Sequence, residues 1–194
     1  MNKKGFLLIV SGPAGAGKGT ICNKILEMYP KEYALSISAT SRPPRGSEVD
    51  GKEYFFKTRE EFEEMIRQDT LLEHAQYQGN YYGTPRKWVE DKLEEGVNVI
   101  LEIDIQGGFQ VSGKFPDTLL IFIMPPSMEE LYRRLKGRGT ETEEQIQGRI
   151  ARAEEEIQLS DRYDYVIVNE DVEKSAEMLH NIILAEKENR AGVN

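Results

Sequence analysis

A glycine-rich segment near the start of the chain has the residue types that bind phosphate groups. It reads Gly12-Pro13-Ala14-Gly15-Ala16-Gly17-Lys18-Gly19-Thr20 and comes shortly after an apolar stretch, Phe6 to Val10. Glycines let successive backbone N–H groups turn toward one anion, a helix amino terminus adds partial positive charge, and Lys18 reaches the outer phosphates. The segment therefore predicts binding of a nucleoside triphosphate; a glycine-rich turn with a solvated lysine is the alternative.

The position after the lysine departs from the strict form of this loop, which has Ser or Thr there to bind Mg²⁺. Gly19 occupies that position, so Thr20 is the nearest hydroxyl. We expect Thr20 to act on a phosphate or on a metal-bound water.

Basic side chains form two further groups that could bind anions. Arg42 and Arg45 flank two prolines, which restrict the backbone and favour a fixed geometry. Residues 133–152 contain five arginines and one lysine against three glutamates, a local charge of +3. Solvated loop charges and a pair of salt-bridged surface helices are the alternative interpretations of these groups.

The chain as a whole is acidic, with 34 Asp and Glu against 25 Lys and Arg and a formal net charge of −9. A protein that wraps DNA or RNA usually has the opposite balance, so we expect no nucleic-acid partner. Cationic pockets on an acidic body suit a small anionic substrate better than a polymer.

Short apolar segments alternate with helical patterns and predict the scaffold that positions these side chains. The strand candidates are Phe6 to Val10, Val97 to Asp104, Leu119 to Met124 and Tyr165 to Val168, with a weaker one at Leu35 to Ser38. The helical patterns are Thr20 to Tyr29, Pro85 to Glu95, Ser127 to Lys136, Glu143 to Leu159 and Val172 to Glu188. This alternation predicts an α/β fold in three layers, with a parallel sheet of the P-loop NTPase type.

Two segments interrupt the alternation. Residues 42–82 are polar, aromatic and rich in turn signals; short antiparallel strands at 54–56, 71–77 and 81–82 are expected around one helix, 59–68. Residues 133–152 predict two charged helices joined at Gly137-Arg138-Gly139, and capping boxes are predicted at Thr58, Ser127 and Thr142. We expect one domain: a core of residues 1–38, 83–132 and 153–194, a small mixed insertion at about 39–82, and a helical lid at about 133–152.

Membrane insertion and disulfides are not expected. The longest apolar run is the six residues Leu119 to Met124, whereas a bilayer-spanning helix needs roughly 20. The apolar stretch after the first lysines runs straight into the glycine-rich loop and is not interpreted as a signal peptide. Cys22 is the single cysteine, which indicates a reducing compartment, and we expect a cytoplasmic protein. A monomer and a homodimer both remain open.

Six segments in one order resemble the guanylate kinases in their bacterial form, over nearly the whole chain. Besides the phosphate loop they are Ser38-Ala39-Thr40-Ser41-Arg42-Pro43-Pro44-Arg45-Gly46 with Glu48-Val49-Asp50-Gly51-Lys52-Glu53-Tyr54, then Gly79-Asn80-Tyr81-Tyr82-Gly83-Thr84, Leu101-Glu102-Ile103-Asp104-Ile105-Gln106-Gly107, Arg134-Leu135-Lys136-Gly137-Arg138-Gly139, and Ile167-Val168-Asn169. The resemblance implies phosphoryl transfer from ATP to GMP with Mg²⁺, and dGMP as a further acceptor. It also implies that the two insertions are a GMP-binding subdomain and a lid.

The resemblance assigns roles to single residues. At the acceptor phosphate they are Arg42, Arg45, Tyr54 and Tyr82. At the guanine base they are Glu73, Asp104, Thr84 and Ser38. At ATP they are residues 12–20, Arg134, Arg138 and Asn169, the last at adenine. Lys18, Arg42, Arg138 and Arg149 are expected to act on the transferring group. Thr20 and Glu102 are the expected metal-site residues: Glu102, two residues before Asp104 on the same strand, is expected to face the same side as Asp104 and to orient a metal-bound water.

The residue types fit this chemistry. A phosphate monoester is already an oxyanion near neutral pH, so the transfer needs alignment and charge neutralisation and no general base. Guanine presents N1–H beside its 2-amino group, so a carboxylate such as Glu73 accepts from both donors and repels adenine. From local sequence alone, Glu73 could equally be a solvated strand-end charge and the tyrosines core residues.

Two other functions remain open at this point. A non-catalytic guanylate-kinase-like module would bind phosphorylated partners in the GMP site, although such modules commonly lack a working phosphate loop. A P-loop kinase for AMP or another small acceptor would lack the pair of Glu73 and Asp104.

Overall fold

Strands and helices alternate along most of the chain, as the apolar pattern predicts. The structure is a computed structural model, which describes residues 4–137, 139 and 142–192. In chain order the elements are β1 (Leu7–Ser11), α1 (Lys18–Met28), β2 (Tyr33–Leu35), β3 (Ala39–Thr40), β4 (Phe55–Phe56), α2 (Arg59–Arg67), β5 (Leu71–Tyr77), β6 (Asn80–Pro85), α3 (Arg86–Glu94), β7 (Asn98–Glu102), α4 (Ile105–Lys114), β8 (Leu119–Met124), α5 (Met128–Gly137), α6 (Glu143–Ile157), β9 (Tyr165–Val168) and α7 (Val172–Gly192).

Five parallel strands form the central sheet in the order β2-β7-β1-β8-β9. Apolar residues of α1 and α7, such as Ile25 and Leu179, pack on one face. Val89 of α3 and Val111 of α4 pack on the other face. Strands covered on both faces must be apolar throughout, which explains the continuous hydrophobic runs in the sequence. The predicted three-layer α/β fold is confirmed.

A second, small sheet has the strand order β4-β3-β6-β5 and lies mostly in residues 39–82, the predicted mixed insertion, although β6 continues to Pro85. Phe62 of α2 and Leu71 of β5 form its core with Ala39. Strand β6 pairs antiparallel with β3 and β5, but β4 pairs parallel with β3, so the prediction of only antiparallel strands there is wrong. The capping box at Thr58 is confirmed by its reciprocal bonds with Glu61.

Helices α5 and α6 pack on each other through Leu131, Leu135 and Ile146. The predicted capping box at Thr142 is confirmed. At Ser127 only half of the box forms: the hydroxyl accepts from the N–H of Glu130, but the Glu130 carboxylate bonds to arginines instead. The exact bounds of the core, insertion and lid stay predictions.

Two expectations for the region after β7 were wrong. This strand ends at Glu102, not at residue 104, and helix α4 was not expected at all. Glycines at 107, 108 and 113 disguise the helix because glycine is a poor helix former. The close approach to the sheet favours them, since a Cβ atom on Gly108 would lie 3.0 Å from Cγ2 of Ile9. The weak fifth strand also lies earlier than predicted, at 33–35.

Within residues 4–137, 139 and 142–192, no helix combines the length and the apolar character that a membrane crossing requires.

Cys22 provides a test of how α1 packs. Its side chain has 0% exposure, and burial together with the charge of Glu102 raises the pKa of the thiol to about 12. At about pH 8 we expect iodoacetamide to alkylate the folded protein about a thousandfold more slowly than free cysteine, because the thiolate is the nucleophile. A mass-spectrometric time course measures the rate, with the chain unfolded in guanidinium chloride as the control. Rapid alkylation of the folded chain would contradict this packing.

Candidate active site

The glycine-rich loop connects β1 to α1 and packs tightly against the ends of two neighbouring strands. Gly12 and Gly17 have φ angles of 140° and 96°, a region that favours glycine. A Cβ atom on Gly12 would lie 2.2 Å from the carbonyl oxygen of Ile123, and one on Gly17 would lie 2.2 Å from Nδ2 of Asn169. Both glycines are therefore required by conformation and by space.

Lys18, the first residue of α1, reaches back across this loop. Its Nζ donates to the carbonyl oxygens of Gly12 at 2.6 Å and Pro13 at 3.0 Å. The ammonium group is thus held at the loop, beside the positive end of α1.

Asn169 and Arg134 tie the far side of the loop to the end of β9. Asn169 is 2% exposed; its Nδ2 donates to the Ala16 carbonyl at 2.8 Å. Arg134 donates to Ala16 O at 3.3 Å and to Asn169 O at 3.0 Å. Its Nε also donates to the Glu130 carboxylate at 2.8 Å. Arg134 therefore lies at the loop as expected, whereas contact of Asn169 with adenine stays a prediction.

The Glu102 carboxylate lies beside position 19. A Cβ atom on Gly19 would lie 3.3 Å from Oε2 of Glu102, a close contact that a small shift of this exposed carboxylate would relieve. Thr20 is exposed on the first turn of α1. No group of three or more His, Cys, Asp or Glu side chains able to hold a metal occurs in the described part of the chain. A carboxylate and a hydroxyl beside a phosphate loop still fit Mg²⁺, which usually binds through one or two carboxylates together with substrate phosphates.

A cavity of about 360 Å³ lies between the small sheet and the start of α4. Its lining includes Ser38, Glu73, Tyr82 and Asp104, four of the residues predicted to bind GMP. Thr84 is adjacent, since its Oγ1 donates to Oε1 of Glu73 at 2.7 Å. The sequence-based prediction thus selected side chains that the fold brings together.

Glu73 and Asp104 differ in their environments. Glu73 is 9% exposed, and burial, with the nearby charge of Asp104, raises the pKa of its carboxyl group. Asp104 is exposed and caps α4: its Oδ1 accepts from the N–H of Gly107 at 2.8 Å. It lies beyond β7, so it does not share a strand face with Glu102 as predicted.

Arg42 forms a second polar cluster with Glu48. Nη1 and Nη2 of the guanidinium each donate to one Glu48 oxygen, at 2.9 Å, and Nη1 also donates to the Pro43 carbonyl at 2.8 Å. This pairing raises the pKa of Arg42 and lowers the pKa of Glu48. The guanidinium lies 5.3 Å from the Tyr54 ring centroid, which is 6.0 Å from that of Tyr82.

The structure gives fewer contacts for the other predicted arginines. The side chain of Arg45 is exposed, and its backbone N–H donates to Glu48 at 2.7 Å. Arg149 is exposed on α6, and its action on the transferring group stays a prediction. Arg138 lies outside the described residues.

Two carboxylates in the site had no predicted role. Glu48 orients Arg42, and Glu130 bonds Arg134. The available signal for Glu130 was its spacing of four residues from Arg134 on one helix. Glu48 shares a turn-rich segment with two arginines, and no periodicity there indicates which charges meet.

This geometry defines a class, and comparison with known proteins identifies the family. The central strand of a parallel sheet, followed by a glycine-rich loop and a helix, is the arrangement of P-loop nucleotide-binding proteins. The family model described as guanylate kinase matches residues 4–186. The chain therefore belongs to the guanylate kinase family, whose members use ATP to phosphorylate GMP to GDP.

Curated relatives and a solved structure agree. A guanylate kinase of Caldanaerobacter subterraneus subsp. tengcongensis is 54% identical over 187 residues, covering 96% of this chain and 90% of that protein. One from Streptococcus thermophilus is 50% identical over 186 residues, covering 96% and 89%. The crystal structure of guanylate kinase from Anaplasma phagocytophilum is 41% identical, with a TM-score of 0.72, and the match covers 95% of this chain and 87% of that one. The prediction of a guanylate kinase enzyme is confirmed.

Removing the Glu73 charge should stabilise the nucleotide-free protein. Because burial raises the Glu73 pKa, the ionised form is disfavoured in the folded state at neutral pH. We expect Glu73→Gln to raise the melting temperature near pH 7 by about 2 °C. The difference should shrink as the pH falls through the folded pKa toward the unfolded value of about 4.3, because Glu73 then becomes protonated in both states. Calorimetry across this pH range measures the effect.

Glu155→Gln is the matched control, because it removes the same charge at an exposed position on α6. Its melting temperature should follow the parent protein at every pH. A Glu73→Gln protein that is less stable than the parent at neutral pH would contradict the proposed cost of burial.

Glu48 should act through the orientation of Arg42. We expect Glu48→Gln to raise the KM for GMP about tenfold while changing kcat and the KM for ATP little. Without the Glu48 carboxylate the Arg42 guanidinium is free to rotate, so its N–H groups are no longer aligned with the GMP phosphate. Glu53→Gln changes the same charge in the same segment and should leave all three parameters unchanged. Equal losses in both KM values would indicate general disruption instead.

Proposed function

We propose that this chain carries out the family reaction as a Mg²⁺-dependent transfer from ATP to GMP, with the described residues divided between a donor side and an acceptor side. The observation that supports this best is the buried Glu73 carboxylate, held by Thr84 in a cavity that Asp104 also lines. Glu102 ends β7 and Asp104 follows it, and the phosphate loop follows the adjacent strand β1. Both sides therefore open at the carboxyl edge of one sheet, where α/β proteins bind ligands.

On the donor side, the loop N–H groups and Lys18 bind the ATP phosphates. Arg134 and Asn169 hold the loop in the conformation that receives them. Thr20 and Glu102 would hold Mg²⁺, directly or through water. When bound, this ion neutralises charge on the phosphates and orients them.

On the acceptor side, the edge of Arg42 that faces away from Glu48 binds the GMP phosphate. Three of its five N–H groups go to Glu48 and Pro43. The other two, on Nε and Nη2, form the edge of the guanidinium beside the Tyr82 hydroxyl, with which Arg42 also interacts, and this edge matches two phosphate oxygens. Tyr54 and Tyr82 add hydroxyl donors, and Arg45 adds a second positive charge.

Glu73 and Asp104 select guanine. The Thr84 hydroxyl donates to Oε1 of Glu73. Oε2 is then left to accept from N1–H and the 2-amino group of guanine. Adenine has an acceptor at N1, so it would leave Oε2 of the buried carboxylate without a donor, which gives a selectivity for guanine on the order of 10⁴-fold. Ser38 bonds the remaining base edge. These residues contact the base and the phosphate and none is assigned to the ribose, so we include dGMP as an acceptor.

The transfer itself needs alignment more than proton transfer. The attacking oxygen of GMP is already anionic, so the enzyme has to overcome the repulsion between two phosphate groups. Lys18 and Arg42 reduce this repulsion from opposite sides. Arg138 and Arg149 would complete the charge around the transferring group once the lid closes and excludes water. The single buried cysteine supports a reducing compartment, which we take to be the cytoplasm.

Steady-state rates with ATP and a panel of GMP, dGMP, AMP, CMP and UMP test the proposal. We expect kcat/KM for GMP to exceed that for AMP by on the order of 10⁴-fold, and activity to disappear when EDTA removes Mg²⁺. Lys18→Ala should lower kcat about a hundredfold or more with little change in melting temperature, because it removes charge stabilisation and no packing.

Lys24→Ala is the control on the same helix, where the lysine contacts Glu27 at 3.6 Å, and it should leave turnover normal. Equal rates with AMP and GMP would contradict the assignment of Glu73 and Asp104. Near-normal turnover by Lys18→Ala would contradict the donor side.

A further inference from the structure

A second cavity, of about 450 Å³, lies at the amino ends of the strands of the central sheet, whereas the nucleotide sites lie at their carboxyl ends. It is formed where β1 and β8 begin and where α3, α4 and α7 end. Strand β1 separates it from the phosphate loop by five residues, about 16 Å along the strand. The cavity is therefore distinct from the site described above.

The cavity has an apolar body. Phe6, Leu7, Leu93, Phe115 and Pro116 are among its lining residues. Its volume falls in the range of about 300–1,000 Å³ that is typical of sites for small molecules. A cavity of this size suits one or two rings and not a folded partner.

The charged residues at the cavity are mostly basic, although the chain has a net charge of −9. Four are basic, Lys4, Lys114, Lys187 and Arg190, and one is acidic, Asp117. Arg190 packs 4.4 Å from the Phe6 ring centroid and donates to the Asp117 carbonyl at 3.1 Å. Lys114 contacts Asp69 at 3.2 Å.

Lys4 and Lys187 differ from Lys114 and Arg190 in their lack of acidic neighbours within the described part of the chain. Among the described residues, neither has a carboxylate within 4.0 Å, although both line the cavity. Two ammonium groups without an acidic partner beside an apolar surface favour an anionic ligand that also has an apolar part.

We propose that this cavity binds a small amphipathic anion, with a ring-sized apolar body and one carboxylate, sulfonate or phosphate group. The body contacts Phe6, Leu93 and Phe115. The anionic group pairs with Lys187 and Lys4. The site is separate from both nucleotide sites and does not depend on their assignment.

Fluorescence titration with 8-anilinonaphthalene-1-sulfonate, which has aromatic rings and one sulfonate, tests the proposal. The protein is first saturated with GMP and a non-hydrolysable ATP analogue, so that the probe cannot occupy the nucleotide sites. We expect one site per chain. The double variant Lys4→Glu/Lys187→Glu should weaken probe binding at least about tenfold, while GMP kinase activity and melting temperature stay unchanged.

Lys31→Glu/Lys57→Glu is the matched control, because it makes the same charge change at lysines that do not line the cavity, and its probe affinity should equal that of the parent. N-phenyl-1-naphthylamine has the same rings without the sulfonate, and it should bind about tenfold more weakly to the parent protein. Displacement of the sulfonate probe by the nucleotides, equal affinity in both double variants, or equal affinity for the neutral probe would overturn the proposal. The neutral-probe comparison needs no variant, so the proposal stays testable if a double variant fails to fold.

Discussion

The phosphate loop packs so closely against the ends of β8 and β9 that two of its positions have no room for a Cβ atom. The rest of the donor site depends on this packing. It places Asn169 and Arg134 against the Ala16 carbonyl, and Lys18 against the carbonyls of Gly12 and Pro13. These carbonyl oxygens are thus bonded to the protein. A phosphate that approaches the amino end of α1 would therefore meet N–H groups and cations.

The acceptor side follows the same rule at two side chains that would bind GMP, Arg42 and Glu73, because each is oriented by a polar neighbour. Glu48 fixes the guanidinium of Arg42, and Thr84 fixes the carboxylate of Glu73. Orientation before binding reduces the entropy lost when the ligand arrives. It also has a cost in stability: Glu73 is a buried carboxylate whose raised pKa shows that the empty pocket disfavours its charge. A guanine with two donors would remove much of that penalty, so selectivity and the instability of the empty site have one cause.

Sequence patterns predicted the buried elements well and the irregular ones poorly, for physical reasons. β8 and β9 have the predicted bounds. β8 is covered on both faces, which gives an uninterrupted apolar run, whereas the edge strand β9 is equally apolar although Val166 and Val168 are exposed. Helix α4 was missed because its glycines serve close packing against β1, which no local propensity reveals. Loop residues from Gly12 to Lys18 could be predicted from spacing alone. The pairing of Glu48 with Arg42 could not, because turns bring charges together without a period.

The carboxyl ends and the amino ends of the central strands differ in positive electrostatic potential, and this difference bears on the ligand that each would bind. At the carboxyl edge the amino end of α1 adds its partial positive charge to Lys18, which suits the multiple charges of a triphosphate. At the amino edge, Lys114 and Arg190 lie in the last turns of α4 and α7, where the partial negative charge of each helix end offsets them. The net positive field there is weaker despite four basic side chains. A single anionic group on an apolar body therefore matches that cavity, and a polyphosphate matches the loop.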